Sequence, residues 1–121
     1  MRVGCDIVDL RIFSESVQKQ EFCERVFSVA ERAYCDNTMN RVGAYAARFA
    51  AKEAFLKALG TGFFSKGMTP AEVWVEKEDS KRPVLGMTEK VRVLLLEMSC
   101  ESVEVSLSHH GDYAMAVVVL N

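Results

Sequence analysis

The residue whose type least fits its surroundings is Glu53, in the stretch "RFAAKEAFLKALGTG", Arg48 to Gly62. Stepping from Val42 to Gly60 at about 100° per residue, Val42, Tyr45, Ala46, Phe49 and Leu56 fall within one arc. Glu53 lies near the centre of that arc and Lys57 at its side. Ala47, Ala51, Ala54, Phe55 and Ala58 fill the remaining faces. A helix apolar nearly all round is buried on several sides, and a buried carboxylate without a partner is costly. Two partners are open to Glu53. One is Lys57, at the favourable Glu-to-Lys i,i+4 spacing, which contributes about 0.2–0.5 kcal/mol. The other is a metal ion shared with a second carboxylate.

Asp6 is the candidate for that second carboxylate. It sits in the otherwise apolar run "GCDIV", beside Gly4, which leaves room for a close approach. Its other reading is a strand-end aspartate that bonds a turn. Two carboxylates together with water and phosphate oxygens suit Mg²⁺. Arg41, Arg48 and Lys52 form a separate basic stripe on the same helix, read either as a solvated face or as an anion contact. Gly60 stands where a helix C-terminal glycine belongs. The Gly-Lys-[Ser/Thr] ending of a P-loop is absent. No G-x-S-x-G nucleophile elbow occurs. The two histidines of "SLSHH" have no cysteine cluster to make a zinc site.

These residues need elements to hold them. "RVGCDIV" alternates as a short strand, and Asp9 can cap a helix from about Leu10. "EFCERVFSVAERAYC" is helical, with Ser28 and Glu31 spaced as a capping box. After the polar break "DNTMN", a long helix runs from about Asn40 to Leu59. "GTGFFSKGMTP" is a loop whose apolar Phe63, Phe64 and Met68, with the stem of Lys66, need a covering surface. "AEVWVEKE" and "VLG" are strands around the turn "DSKRP", and "TEKVRVLLLEMSC" is an amphipathic helix starting at Thr88. "SVEVSLSH" and "YAMAVVVL", joined through "HHGD", read as an antiparallel hairpin. The second of these strands is apolar on both faces and belongs at the centre of a sheet. The fold class is α+β, with a mainly antiparallel sheet packed on one long central helix.

The 121 residues suit a single domain spanning 1–121. With a net charge of -2, the chain lacks the basic excess of a nucleic-acid binder. No apolar run is long enough to span a membrane and no signal peptide opens the chain, so a cytoplasmic location is expected. The four cysteines form no C-x-x-C pair and read as reduced thiols, some of them core filler.

"GCDIVDL", "RFAAKEAFLKALGTG" and "VSLSHHGDYAMAVVV", in that order and at those separations, resemble the holo-acyl-carrier-protein synthases, the small bacterial 4′-phosphopantetheinyl transferases. The resemblance runs from end to end. It implies transfer of 4′-phosphopantetheine from coenzyme A to a serine of apo acyl carrier protein. The other product is adenosine 3′,5′-bisphosphate, and the reaction supports fatty acid biosynthesis. It also implies Mg²⁺ as cofactor, coenzyme A as co-substrate, and a homotrimer with sites at subunit interfaces. Carried over residue by residue, it makes Asp6 and Glu53 catalytic metal ligands and Lys57 a catalytic lysine near the phosphates. It assigns Arg48, Lys57, Gly60, Pro83 and His109 to coenzyme A binding. The family's usual arginine six residues after the metal aspartate is here Ile12, with Arg11 beside it; this departure bears on carrier-protein docking. The glycine of its Gly-x-Pro turn is Lys81, which implies a differently shaped turn near the adenine. The rival functions are a non-catalytic oligomeric α+β binding domain and a metal-dependent phosphohydrolase.

Overall fold

The computed structural model describes residues 1–61, 67–77 and 81–121. The chain begins with strand β1 (Arg2–Asp9) and continues through helices α1 (Leu10–Val17), α2 (Gln20–Val26), α3 (Val29–Asp36) and α4 (Arg41–Leu59). A 3₁₀ turn (Pro70–Glu72) leads into β2 (Val73–Lys77), followed by β3 (Pro83–Met87) and α5 (Glu89–Glu97). The hairpin β4 (Val103–His110) and β5 (Tyr113–Leu120) completes it. One antiparallel sheet has the order β1-β5-β4, and β2 pairs with β3 in a second. The apolar run at the C-terminus is therefore the central strand, as its composition requires.

Helix α4 lies on the inner face of the three-stranded sheet, and small residues let it come close. Ala114, Ala116 and Val118 of β5 are buried against it. Gly4 of β1 is required by that contact. A Cβ there would stand 2.0 Å from the carbonyl oxygen of Ala54 and 2.6 Å from the nitrogen of Ala58. The close approach expected at Gly4 is thus made by the helix backbone. Gly4→Ala would push helix and sheet apart.

The helix ends follow their local chemistry. Asp9 caps α1 by accepting from the Arg11 amide at 2.9 Å. Ser28 and Glu31 make the capping box of α3. Asn40 caps α4 through the Gly43 amide at 3.0 Å, and Gly60 ends it with a left-handed φ of 81°. Thr88 precedes α5 without a side-chain cap bond.

Tyr45, Ala46, Ala50, Ala51, Ala54, Phe55 and Leu56 are buried, so α4 is covered on most sides. Burying a side chain such as Phe55 contributes about 1.5–3 kcal/mol. Phe13, Phe22, Phe27, Phe49 and Tyr45 form an aromatic layer under α1, α2 and α3, with neighbouring centroids 4.8–6.2 Å apart. Cys23, Cys35 and Cys100 are buried and Cys5 is exposed, all four as free thiols. Burial pushes the Cys35 thiol up to about 12, so it stays protonated and packs as a small apolar group. The outer face of the sheet is apolar but open: Val3, Ile7, Tyr113 and Met115 are exposed on it. Met68 is buried, whereas Phe63, Phe64 and Lys66 lie outside the described residues.

Candidate functional site

Asp6 and Glu53 meet. β1 carries Asp6 on the same side as Gly4 and Val8, the side that α4 covers, and α4 brings Glu53 to it. Both line one cleft of about 470 Å³, walled by Ile7, Ile12, Phe13 and Phe49. No hydrogen bond or ion pair among the described residues reaches Glu53. Its carboxyl is held above the usual range, first by loss of water and then by the negative charge of Asp6. Two carboxylates that face one cleft and repel each other form a donor set for a hard cation. Among the described residues no third His, Cys, Asp or Glu joins them, which leaves the other coordination positions to water and phosphate oxygens, as Mg²⁺ prefers.

Lys57 completes the group, though not with the partner its spacing suggests. Its ammonium donates to Asp6 Oδ1 at 2.9 Å, and that bond raises its pKa. The i,i+4 pair with Glu53 is not formed. On α4, Lys57 leans toward β1, where an ordered carboxylate waits. The lysine side chain remains half-exposed at 54%, so it can turn toward an anion entering the cleft.

The expected basic stripe of Arg41, Arg48 and Lys52 does not exist as a solvated face. Arg41 is exposed and paired with Asp36 at 2.9 Å. Lys52 has no exposed side-chain surface and bonds Glu31 Oε1 at 2.8 Å, the carbonyl of Pro70 at 3.1 Å, and the carbonyl of Val73. The second oxygen of Glu31 accepts from the Val75 amide at 3.0 Å. The helix wheel failed here because it knows only one helix. The two elements that cover Lys52, α3 and β2, come from elsewhere in the chain.

Arg48 is also nearly buried, at 6% exposure, and its Nε has no partner among the described residues. It lines a second cleft, of about 310 Å³, with His109 and Ser108 of β4. Among the described residues none lines both clefts. Gly60 and Pro83 line neither. Gly60 closes α4, where Arg2 Nη1 donates to the carbonyl of Leu59 at 3.1 Å. Pro83 begins β3 opposite Lys77. Lys81, at the expected glycine position, adopts a left-handed φ of 65°. The backbone at Lys81 takes a glycine-type conformation in spite of the side chain, while residues 78–80 of the turn lie outside the described residues. Arg11 is tied to Asp9 at 3.0 Å and lies 3.8 Å from Asp112, while Ile12 stands exposed on the wall of the carboxylate cleft.

Two residues of the second cleft escaped the sequence reading, Tyr34 and Lys77. The available signal for Tyr34 was its i+3 spacing from Glu31, which puts both on one face of α3. For Lys77 there was none, since strand pairing alone brings it there.

The profile of the 4′-phosphopantetheinyl transferase superfamily matches residues 2–118. A holo-[acyl-carrier-protein] synthase of Geobacter metallireducens is 40% identical over 119 residues, covering 97% of this chain and 94% of the relative. The crystal structure of holo-[acyl-carrier-protein] synthase from Neisseria meningitidis superposes with a TM-score of 0.91 at 28% identity, covering 99% and 97% of the two chains. That of the Helicobacter pylori enzyme in complex with coenzyme A gives 0.84 at 28% identity, covering 98% and 99%.

Proposed function

The chain belongs to the 4′-phosphopantetheinyl transferase superfamily, as a transferase of the holo-acyl-carrier-protein synthase type, and on that premise we propose the reaction and the roles of its residues. The protein transfers 4′-phosphopantetheine from coenzyme A to a serine of apo acyl carrier protein and releases adenosine 3′,5′-bisphosphate, in the service of fatty acid biosynthesis in the cytoplasm. The observation that carries the site assignment is the convergence of Asp6, Glu53 and Lys57 on one cleft.

In the reaction a bond forms between the serine oxygen and the β-phosphorus of coenzyme A. The bond from that phosphorus to the oxygen of the departing nucleotide phosphate breaks, and the serine's proton is released to water. Such displacement depends on positioning and on charge stabilisation. Asp6 and Glu53 would hold Mg²⁺, whose chemistry when bound is to neutralise charge on the pyrophosphate. Asp6, fixed in a paired strand, and Glu53, fixed in a helix buried on most sides, supply rigid anchors. Lys57 exchanges its bond to Asp6 for one to the departing phosphate. Ile7, Ile12 and Phe49 wall the cleft and restrict water. Arg48 and His109 hold the nucleotide end of coenzyme A. Gly60 lets α4 end sharply beside Lys57, and Pro83 begins β3 opposite Lys77.

A homotrimer fits two features of the single chain. The open sheet face with Val3, Ile7, Tyr113 and Met115 has an apolar character that suits burial by another copy. The two clefts share none of the described residues, which favours a coenzyme A site completed across a subunit boundary. Light scattering should then give three times 13.5 kDa.

The deciding experiment incubates the protein with apo acyl carrier protein, coenzyme A and Mg²⁺ and weighs the carrier by mass spectrometry. One phosphopantetheine should be added per carrier, with an equal amount of adenosine 3′,5′-bisphosphate. An unmodified carrier, or breakdown of coenzyme A without any carrier, would instead favour the binding domain or the phosphohydrolase.

A further inference from the structure

Helices α3 and α4 and strand β2 meet in two successive layers. The inner layer is the buried pair Glu31–Lys52, joined to the backbone of Val73 and Val75. The outer layer repeats the same three elements one step along each: Tyr34 is three residues after Glu31, Arg48 four before Lys52, and Lys77 two after Val75. The helix and strand periods put each outer residue on the same side as its inner neighbour. A register locked inside is therefore expressed outside.

In the outer layer the Arg48 guanidinium carbon lies 4.3 Å from the centroid of the Tyr34 ring. The Lys77 ammonium lies 5.4 Å from the same centroid and donates to the tyrosine hydroxyl at 3.4 Å. One aromatic ring thus carries two cations. Arg48 Nη1 donates to the Ala44 carbonyl at 3.2 Å, whereas its Nε, in a residue only 6% exposed, has no acceptor among the described residues. All three side chains line the 310 Å³ cleft together with His109, and among the described residues no acidic one lines it. Asn40 and Gly43 bring the first turn of α4 to the same cleft, and that end of a 19-residue helix carries partial positive charge. In a chain of net charge -2, this is a local concentration of positive groups with no counter-charge among the described residues of the cleft.

We propose that Tyr34 is a positioning residue that presents Arg48 and Lys77, as a cation pair on one ring, to a phosphate monoester bound in this cleft. The inference rests on the coenzyme A reading above, because the 3′-phosphate is the monoester that coenzyme A carries, while its pyrophosphate would be met by the cation that Asp6 and Glu53 hold. A monoester has close to two negative charges at neutral pH and matches two cations better than one. Stacking occupies the face of the guanidinium and leaves its N–H edge free for phosphate oxygens.

The test is calorimetric titration, without carrier protein or metal, of the wild-type protein, Tyr34→Ala, Tyr34→Phe and Lys77→Gln. The probes are adenosine 3′,5′-bisphosphate and adenosine 5′-monophosphate. The wild type should prefer the bisphosphate. Tyr34→Ala should reduce that preference about tenfold and Lys77→Gln several-fold, chiefly by weakening the bisphosphate. Tyr34→Phe should keep most of it, because the ring persists. Tyr34 is 45% exposed and Lys77 is exposed, so the variants should fold. Equal weakening of both nucleotides would mean that Tyr34 stacks on the base, and the proposal would fall. No preference in the wild type, or a preference untouched in Tyr34→Ala and Lys77→Gln, would overturn it as well. Because no transfer is measured, failure of the carrier-protein assay and failure of this titration are separate results.

Discussion

Lys52 and Glu53 are consecutive on α4, and their surroundings solve opposite problems. Lys52 is wholly buried, yet its ammonium has three acceptors, one of them the carboxylate of Glu31. Every charge in that pocket is answered from within the chain. Glu53 is only partly buried, faces the like charge of Asp6, and has no bonded partner among the described residues. The answered pair is the kind of interaction that fixes one arrangement of helices and strands at little net gain in stability. Asp6 has Lys57, but the unanswered carboxylate of Glu53 is of the kind that marks a place where something else binds. Depth of burial would have ranked the two in the wrong order for function; the presence or absence of a partner separates them.

The comparison breaks first if the Asp6–Glu53 cleft is dispensable. Asp6→Ala and Glu53→Gln should each lower transfer by about a thousandfold or more. That corresponds to a barrier increase of about 4 kcal/mol, the order expected for losing metal-centred charge stabilisation. Circular dichroism should leave the fold unchanged. Near-normal turnover of Glu53→Gln at low Mg²⁺ would remove the ligand role.

The buried pair makes the converse prediction. Lys52→Ala leaves Glu31 charged, dry and unpaired, and should cost about 3–5 kcal/mol of stability in denaturant titration. Total stability is about 5–15 kcal/mol for a domain of ordinary size, so the variant will be marginal. The double change Lys52→Met with Glu31→Leu should recover a large part of the loss, since no lone charge remains. If Lys52→Ala instead folds normally and only raises the KM for coenzyme A at low salt, Lys52 is a surface cation and the contrast with Glu53 disappears.

How far the sequence reveals these two sites depends on where their partners come from. The elements were legible because their signals are local: Asp9, Asn40 and Ser28 cap helices within three residues of themselves, and Gly60 ends α4. The position of β5 followed from its own composition. Glu53 was legible because its type clashes with its own helical face. Whether it pairs with Lys57 was left open, because the acceptor that takes Lys57, Asp6, is 51 residues away in the chain. Lys52 was misread for the same reason, with Glu31 at 21 residues. The space beside Gly4 was legible, but not that α4 itself fills it. Tyr34 and Lys77 carry no anomaly of their own and become visible only once α3, α4 and β2 are packed.

A smaller effect sharpens the assignment of Lys57, the one lysine among the described residues that bonds Asp6. If it meets the departing phosphate, its charge matters more in the transition state than in the bound complex. Lys57→Ala should then lower kcat and kcat/KM together, by about ten- to a hundredfold, or roughly 1.4–2.7 kcal/mol. Steady-state kinetics at low and high salt decide the point. An effect confined to KM and erased by salt would make it an ordinary exposed cation, screened over about 10 Å at 0.1 M.

The smallest effect tests the unanswered charge itself, with no substrate present. In the folded chain the Glu53 carboxyl is raised above its usual value, by burial first and by Asp6 second. The folded state therefore holds that proton more tightly than the unfolded state does. The resulting stabilisation is fully present at pH below the unfolded carboxyl value and is lost as pH rises through the higher folded one. At neutral pH the ionised side chain is a liability, so removing its charge should help. Glu53→Gln should raise the melting temperature of the metal-free protein at pH 7 by a few degrees. That is about 1 kcal/mol or less, because solvent reaches the cleft and screens the repulsion. The gain should vanish near pH 4, where the wild-type carboxyl is itself protonated. Added Mg²⁺ should stabilise the wild type by mass action and leave Glu53→Gln nearly unmoved. A variant that melts lower than the wild type at pH 7 without metal would mean that Glu53 has a stabilising partner in the folded chain. Its carboxylate would then be as fully answered as the Lys52 ammonium, and the reason for placing a cation beside it would be gone.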